Sequence, residues 1–222
     1  LSAPAQGQTI TTIAGTGVGG YSGDGGPATA AKIVAPYGIT LDAVGNMYFA
    51  TGTYVRKIDV SGTISRFAGN GSGVYTADGI AATNNGLDQP FGVYIDATGN
   101  VFETEDGCNH VRKINTSGII TTVAGNPGCG GGSTAEGIPA TTAMLYVSIG
   151  VVTDNSGNRY ESEENHDVIR RINTAGIIYT IAGTMSSPGF SGDGGQATAA
   201  KLYYPAGITL DGSGTLFIAD SY

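Results

Sequence analysis

The chain has 222 residues, a formal net charge of −8 and only 10 Lys and Arg, which are scattered rather than clustered. Phosphate binding needs a basic patch, so composition argues against nucleic acid and against an anionic membrane surface as partners. No apolar run reaches the ~18 residues of a membrane-spanning helix, so no membrane insertion is expected.

The first residues, Leu1-Ser2-Ala3-Pro4-Ala5-Gln6, have neither a charged segment nor an apolar core. An intact signal peptide is therefore not expected; the start is compatible with the processed end of a secreted protein. Residues 9–14 then read as one isolated strand, and a Gly-rich loop follows to Tyr37. Inside that loop Pro27-Ala28-Thr29-Ala30-Ala31-Lys32 fits a helical turn, with Pro at its first position and Asp24 near enough to cap it. Residues 38–69 hold four apolar runs of strand length, closed by Gly-Asn and Ser-Gly turns, which predicts an antiparallel meander. Comparable sets follow at 92–125 and 150–183. The last set has only a first strand, 207–211, and a second, 216–219. The 38 glycines are spaced with this pattern and are read as turn residues.

The meander repeats. Ala-Gly recurs at Ala14, Ala68, Ala124 and Ala182, in steps of 54, 56 and 58 residues. Asp42, Asp96, Asp154 and Asp211 keep the same period. Val55-Arg56-Lys57-Ile58 returns as Val111-Arg112-Lys113-Ile114 and Ile169-Arg170-Arg171-Ile172. A four-stranded unit repeated at this period predicts the blades of a β-propeller.

With Tyr21-Ser22-Gly23-Asp24-Gly25-Gly26 returning as Phe190-Ser191-Gly192-Asp193-Gly194-Gly195, residues 10–222 resemble the NHL-repeat propellers, especially secreted bacterial and extracellular animal forms. Thr76-Ala77-Asp78-Gly79 and Thr134-Ala135-Glu136-Gly137 depart from that motif. The expected fold is all-β: one propeller domain or segment of about four NHL-type repeats, near 10–62, 63–118, 119–176 and 177–222, with incomplete terminal blades. Naming the strands of a blade a to d from the axis outward, residues 9–14 are a d strand and the last set lacks strand c. Three arrangements stay open: a ring latched by pairing 9–14 directly with the last b strand, a segment of a longer chain, or a subunit completed by its neighbour. The d–a and b–c loops share one face, where a site is to be sought.

Cys108, before one strand c, and Cys129, after the paired strand d, fall within disulfide reach, which implies an oxidising compartment. The repeated aspartates are expected to hold their own turns, and Asp24 and Asp193 to stabilise their loops. The repeated Arg and Lys are expected to lay their stems between blades and reach turn carbonyls or carboxylates. Two strand b–loop stretches are acidic: Glu103, Glu105 and Asp106 with His110, and Glu161, Glu163, Glu164 and Asp167 with His166. They offer a ligand or cation face across adjacent blades, against a simply solvated loop face. Asn70 and Asn115 begin N-glycosylation sequons in turns.

Neither GxSxG nor HExxH occurs. Some NHL-like enzymes are zinc lyases using several histidines, and this chain has two. The expectation is a secreted or cell-surface binding or structural module, without cofactor unless calcium or zinc enters, with a protein or glycan partner. Homo-oligomers or polymers through blade edges are one form of it. The alternatives are an interaction segment of a larger receptor or adhesin, and a metal-dependent lyase or hydrolase.

Overall fold

The computed structural model describes residues 9–126 and 135–221. Its strands form four antiparallel sheets. The first holds β1 (Pro36–Leu41), β2 (Met47–Thr51), β3 (Tyr54–Ile58) and β4 (Ile64–Ala68) in sequence order. The second orders β5 (Ile80–Ala81), β9 (Ile119–Ala124), β8 (His110–Ile114), β7 (Val101–Glu105) and β6 (Pro90–Ile95). The third repeats this with β10 (Ile138–Pro139), β14 (Ile177–Ala182), β13 (Val168–Ile172), β12 (Arg159–Glu163) and β11 (Ser148–Thr153). The fourth pairs β15 (Pro205–Leu210) with β16 (Leu216–Asp220). The two-residue outer strands β5 and β10, which pair with β9 and β14, have no counterpart in the sequence expectation.

The a–b turns explain the repeated aspartates. Asp42 Oδ1 accepts from the N–H groups of Val44, Gly45 and Asn46, and Asn46 Nδ2 donates to Oδ2 at 2.6 Å. That side-chain bond from Asn46 leads the causes holding the Asp42 carboxyl down to about 2. Asp96, Asp154 and Asp211 cap their turns in the same way. The predicted helical turn is a 3-10 turn at Ala28–Ala30, with Pro27 as its cap residue and no side-chain cap. Asp24 is engaged elsewhere.

The sheets stack side by side and hide apolar faces that none could hide alone. Tyr48, Ala50, Val55 and Ala68 of the first meet Val93, Val101, Ile114 and Ile120 of the second. Phe102, Val111 and Ala124 of the second meet Val151, Ile172 and Ile178 of the third. The inner strands β1, β6, β11 and β15 line one cavity of about 340 Å³. They approach closely: a Cβ on Gly92 would lie 2.1 Å from the Ile149 carbonyl oxygen, and one on Gly38 2.6 Å from that of Phe91. Hydroxyls bolt the second and third sheets to the next inner strand. Thr104 Oγ1 accepts from Gly92 N–H at 2.8 Å and donates to Ile149 O at 3.0 Å. Ser162 repeats this between Gly150 N–H and Ala206 O.

Residues 9–14 do not form the expected d strand. A d strand needs a strand c ladder beside it, and among the described residues the segment has none; Ile10 is fully exposed. Gly15 and Thr16 instead donate to Ala28 O and Ala31 O. Pairing of this segment with β16 is absent among the described residues. The structure is thus all-β with propeller-like blade stacking.

Candidate functional site: the ion networks of the second and third blades

The acidic stretches lie on strand b and the b–c turn of the second and third blades. Alternation along β7 puts Val101, Glu103 and Glu105 on the face turned toward the first blade, where Val101 packs. Glu103, Glu105, Glu161, Glu163, His110, Arg112 and Arg170 are fully buried. They form networks rather than an open face.

In the second blade Arg112 Nη2 donates to Asp78 Oδ1 at 3.0 Å, while Nη1 lies 3.6 Å from Glu105 Oε1. Glu105 Oε2 is 3.1 Å from His110 Nδ1, and His110 Nε2 is 2.9 Å from Asn126 O. The guanidinium sits 4.8 Å from the Tyr75 ring centre. In the third blade Arg170 Nη1 donates to Glu163 Oε1 at 3.2 Å, and Nη2 lies 3.5 Å from Glu136 Oε1. Glu163 Oε2 meets His166 Nδ1 at 2.5 Å and accepts from Tyr146 N–H at 3.1 Å. The first blade uses a simpler form: Arg56 Nη2 donates to Asp24 Oδ1 at 2.6 Å, and the guanidinium also reaches the Ser22 and Lys32 carbonyls at 3.0 Å each.

Each of the first three blades therefore ties the buried arginine of its strand c to an acid in the preceding loop. The sequence expectation had the arginines reaching carboxylates and Asp24 holding its loop, but it did not join the two. A signal was present, because the acid precedes its arginine by 32 residues in the first blade and 34 in the second. Burying a guanidinium is tolerable only when it is paired. Arg112→Met, which leaves Glu105 buried without its cation, is expected to cost about 3 kcal/mol in a denaturant titration.

Glu103 and Glu161 stand apart. Both carboxylate oxygens of Glu103 lack a hydrogen-bond partner among the described residues. Burial, then the Glu105 charge, push its carboxyl well above the usual range, against the pull of Arg112 opposite it on β8. Burial and Glu163 likewise raise Glu161 to about 8, opposed by Arg170, with Ser148 Oγ donating at 3.5 Å. Burial and the neighbouring carboxylate thus both favour the protonated form of each acid.

Of the predicted face, Asp106 and Glu164 remain half-exposed, joined by half-exposed Asp88. Burial and then Asp106 raise the Glu164 carboxyl; burial, Glu105 and Asp106 raise that of Asp88. The residual acidic surface thus spans the b–c loops of two blades. Asp167 is buried and accepts from Tyr204 N–H at 3.3 Å, a tie to the fourth blade. Among the described residues no three His, Cys, Asp or Glu side chains are grouped to hold a metal ion. Cys108 is buried with Sγ 3.4 Å from Asp88 Oδ2, whereas Cys129 lies outside the described residues. Asn70 and Asn115 are exposed; Asn70 Nδ2 donates to Asn84 O, and Asn115 Oδ1 accepts from Ser117 and Ile119 N–H.

Comparison with known proteins agrees with this repeat geometry. Residues 16–76 match the family model described as the teneurin NHL domain. The chain is 31% identical to chicken (Gallus gallus) teneurin-1 across 96% of its own length and 9% of that protein. It is 31% identical to human teneurin-4 across 89% of its length and 8% of that protein. Both comparisons support the NHL-repeat family. Solved structures agree on the fold alone. A Bacteroides thetaiotaomicron protein of unknown function superposes with a TM-score of 0.65 at 20% identity, covering 83% of this chain and 44% of that one. A streptogramin B lyase superposes with a TM-score of 0.55 at 20% identity, covering 85% and 49%.

Proposed function

We infer that this chain is a non-catalytic NHL β-propeller segment of a larger extracellular or cell-surface protein, and that it acts by binding. One observation carries this: the chain aligns with the teneurins over nearly all of its length yet spans only 9% of chicken teneurin-1. It is thus similar to one repeat module within a much longer polypeptide. The ionisable side chains also favour binding over chemistry. Both His110 ring nitrogens are engaged, and Glu105 and Glu163 pair with buried arginines.

The binding surface in this reading is the b–c/d–a face of the second and third blades, where Asp88, Asp106 and Glu164 suit a basic protein segment. The expected result is salt-sensitive binding of a Lys/Arg-rich peptide, weakened several-fold by Asp106→Asn with Glu164→Gln, read by fluorescence anisotropy. Binding that ignores both substitutions would remove the acidic face from the proposal.

A second reading, head-to-tail association of blades, is favoured by an apolar groove of about 400 Å³ on the first blade, lined by Ile13, Ile33, Ile39, Met47, Phe49 and Ile58, whose rim residues Ile13 and Ile39 are exposed. Val93, Val101 and Ile114 occupy the corresponding places in the second blade and are covered by the first. A preceding blade, or the fourth blade of another copy, would cover the groove; concentration-dependent sedimentation distinguishes the two. A Cys108–Cys129 disulfide is part of this extracellular reading. Its test is alkylation mass spectrometry with and without reductant.

A further inference from the structure

The a–b turns, at the strand ends away from the b–c loops, leave unequal gaps between neighbouring blades. The blades differ there at one inner-strand position. It holds Thr40, Tyr94, Val152 and Thr209 in turn, each opposite an aromatic residue of strand b: Tyr48, Phe102, Tyr160 and Phe217. Tyr94 spans the gap between the second and third blades. It packs against the cluster that holds Phe102 and Val151, and its hydroxyl donates to Thr153 O on the next inner strand at 3.1 Å. Thr40 is too short to reach the second blade in this way, and Val152 too short to reach the fourth. Both of those junctions hold a cavity between equivalent turn segments. It measures about 630 Å³ between residues 41–44 and 94–99, and about 230 Å³ between 152–155 and 209–214.

The larger cavity repeats the surroundings of Tyr94. Ile95 lies opposite Val101 as Thr153 lies opposite Arg159, so the Ile95 carbonyl is the counterpart of the one that Tyr94 engages. Tyr48 packs toward the second blade as Phe102 packs toward the third, and both Tyr48 and Ile95 line the cavity. Asp42 and Asp96 stand at its mouth. The Asn46 side chain holds the Asp42 carboxyl down to about 2. At Asp96 burial is outweighed by hydrogen bonds from Asn100 and Thr98, so that carboxyl is lowered too. Lys57 Nζ, 5.4 Å from the Tyr48 ring centre, offsets part of this negative charge.

We propose that the cavity between the a–b turns of the first and second blades is a docking site for a tyrosine carried on a basic segment of a partner protein. The phenol takes the place that Tyr94 takes one blade further on. Its ring lies against Tyr48 and its hydroxyl donates to the Ile95 carbonyl. Lysine or arginine beside that tyrosine meets the Asp42 and Asp96 carboxylates, which supplies selectivity and a dependence on salt. The volume is within the roughly 300–1,000 Å³ usual for binding sites, enough for the ring and part of its flanking chain. This site is separate from the acidic face of the b–c loops and does not rest on it.

The test titrates the isotope-labelled 222-residue protein with the peptide acetyl-Lys-Tyr-Lys-amide, followed by NMR. Saturable shifts centred on Ile95 and Thr98 are expected. Phenylalanine in place of the peptide tyrosine weakens binding about fivefold, the worth of one hydrogen bond. Thr40→Tyr, which builds the absent ring into the chain itself, abolishes binding. Asp193→Asn, in a loop of the fourth blade, leaves it unchanged. Absence of saturation, equal binding of the phenylalanine peptide, or full binding by Thr40→Tyr overturns the proposal. p-Cresol binding as tightly as the peptide overturns the partner segment in favour of a free phenol. Thermal melts confirm that the variants remain folded. Should Thr40→Tyr fail to fold, the two peptides compared on the unaltered protein decide.

Discussion

Gly92→Ala is expected to lower the stability of this protein by about 3 kcal/mol, near the upper end of overpacking costs. The added methyl would sit 2.1 Å from the Ile149 carbonyl oxygen and 3.1 Å from Thr104 Oγ1. Neither neighbour can yield cheaply. The carbonyl belongs to the next inner strand, and the hydroxyl is the bolt that joins the two strands. The inner strands of the second and third blades must part, and the buried faces behind them lose contact. For a chain of this size the thermal midpoint should fall roughly 6–12 °C. Gly207→Ala is the internal control: it occupies the equivalent place on β15, but its methyl would meet only Ala219 Cβ, at 3.9 Å. A change within about 0.5 kcal/mol is expected there. Equal losses at the two positions would refute close approach of inner strands as the reason for this glycine.

The second large effect is a stability that falls as the solution becomes alkaline. Glu161 is held at about 8 in the folded chain, against an ordinary value of 4.5. Between those pH values the folded protein keeps a proton that the unfolded chain releases, so rising pH favours unfolding. At 1.36 kcal/mol per unit the loss from this group approaches about 4 kcal/mol by pH 8. Glu103 acts in the same direction. The depressed aspartates work oppositely and lower down: the contribution of Asp42 is lost only as pH falls toward about 2. Chemical denaturation of the protein and of Glu161→Gln at pH 5 and pH 8 isolates the effect. The variant should show a markedly smaller drop, because glutamine keeps the shape and cannot ionise. Parallel drops in the two proteins would show that Glu161 is already charged in the fold.

The strand pattern was legible because each strand alternates and each turn carries its own chemistry. Asp42 with Asn46, and the aspartates that repeat it, encode their turns within five residues. Residues 9–14 misled for the opposite reason. Their sequence is that of a d strand, but a strand is a relation to a neighbouring ladder, and that segment has no strand c beside it. The short strands β5 and β10 escaped notice because two residues are too few to show any alternation. At the candidate site, the acidic residues and repeated arginines were visible in the chain, but their mutual burial was not. Glu103 looks the same in a sequence whether it faces solvent or the first blade.

The sequence alone determined the repeat, the antiparallel meander and the turn positions, all set by contacts between residues close along the chain. Tertiary structure decided which acid meets which arginine and which glutamates burial pushes toward the protonated form. It also decided which inner-strand glycines touch a neighbouring blade. Those outcomes depend on how one blade's face covers the next, across separations of more than thirty residues. Burial raises the electrostatic stakes of each such contact, and no local pattern records it.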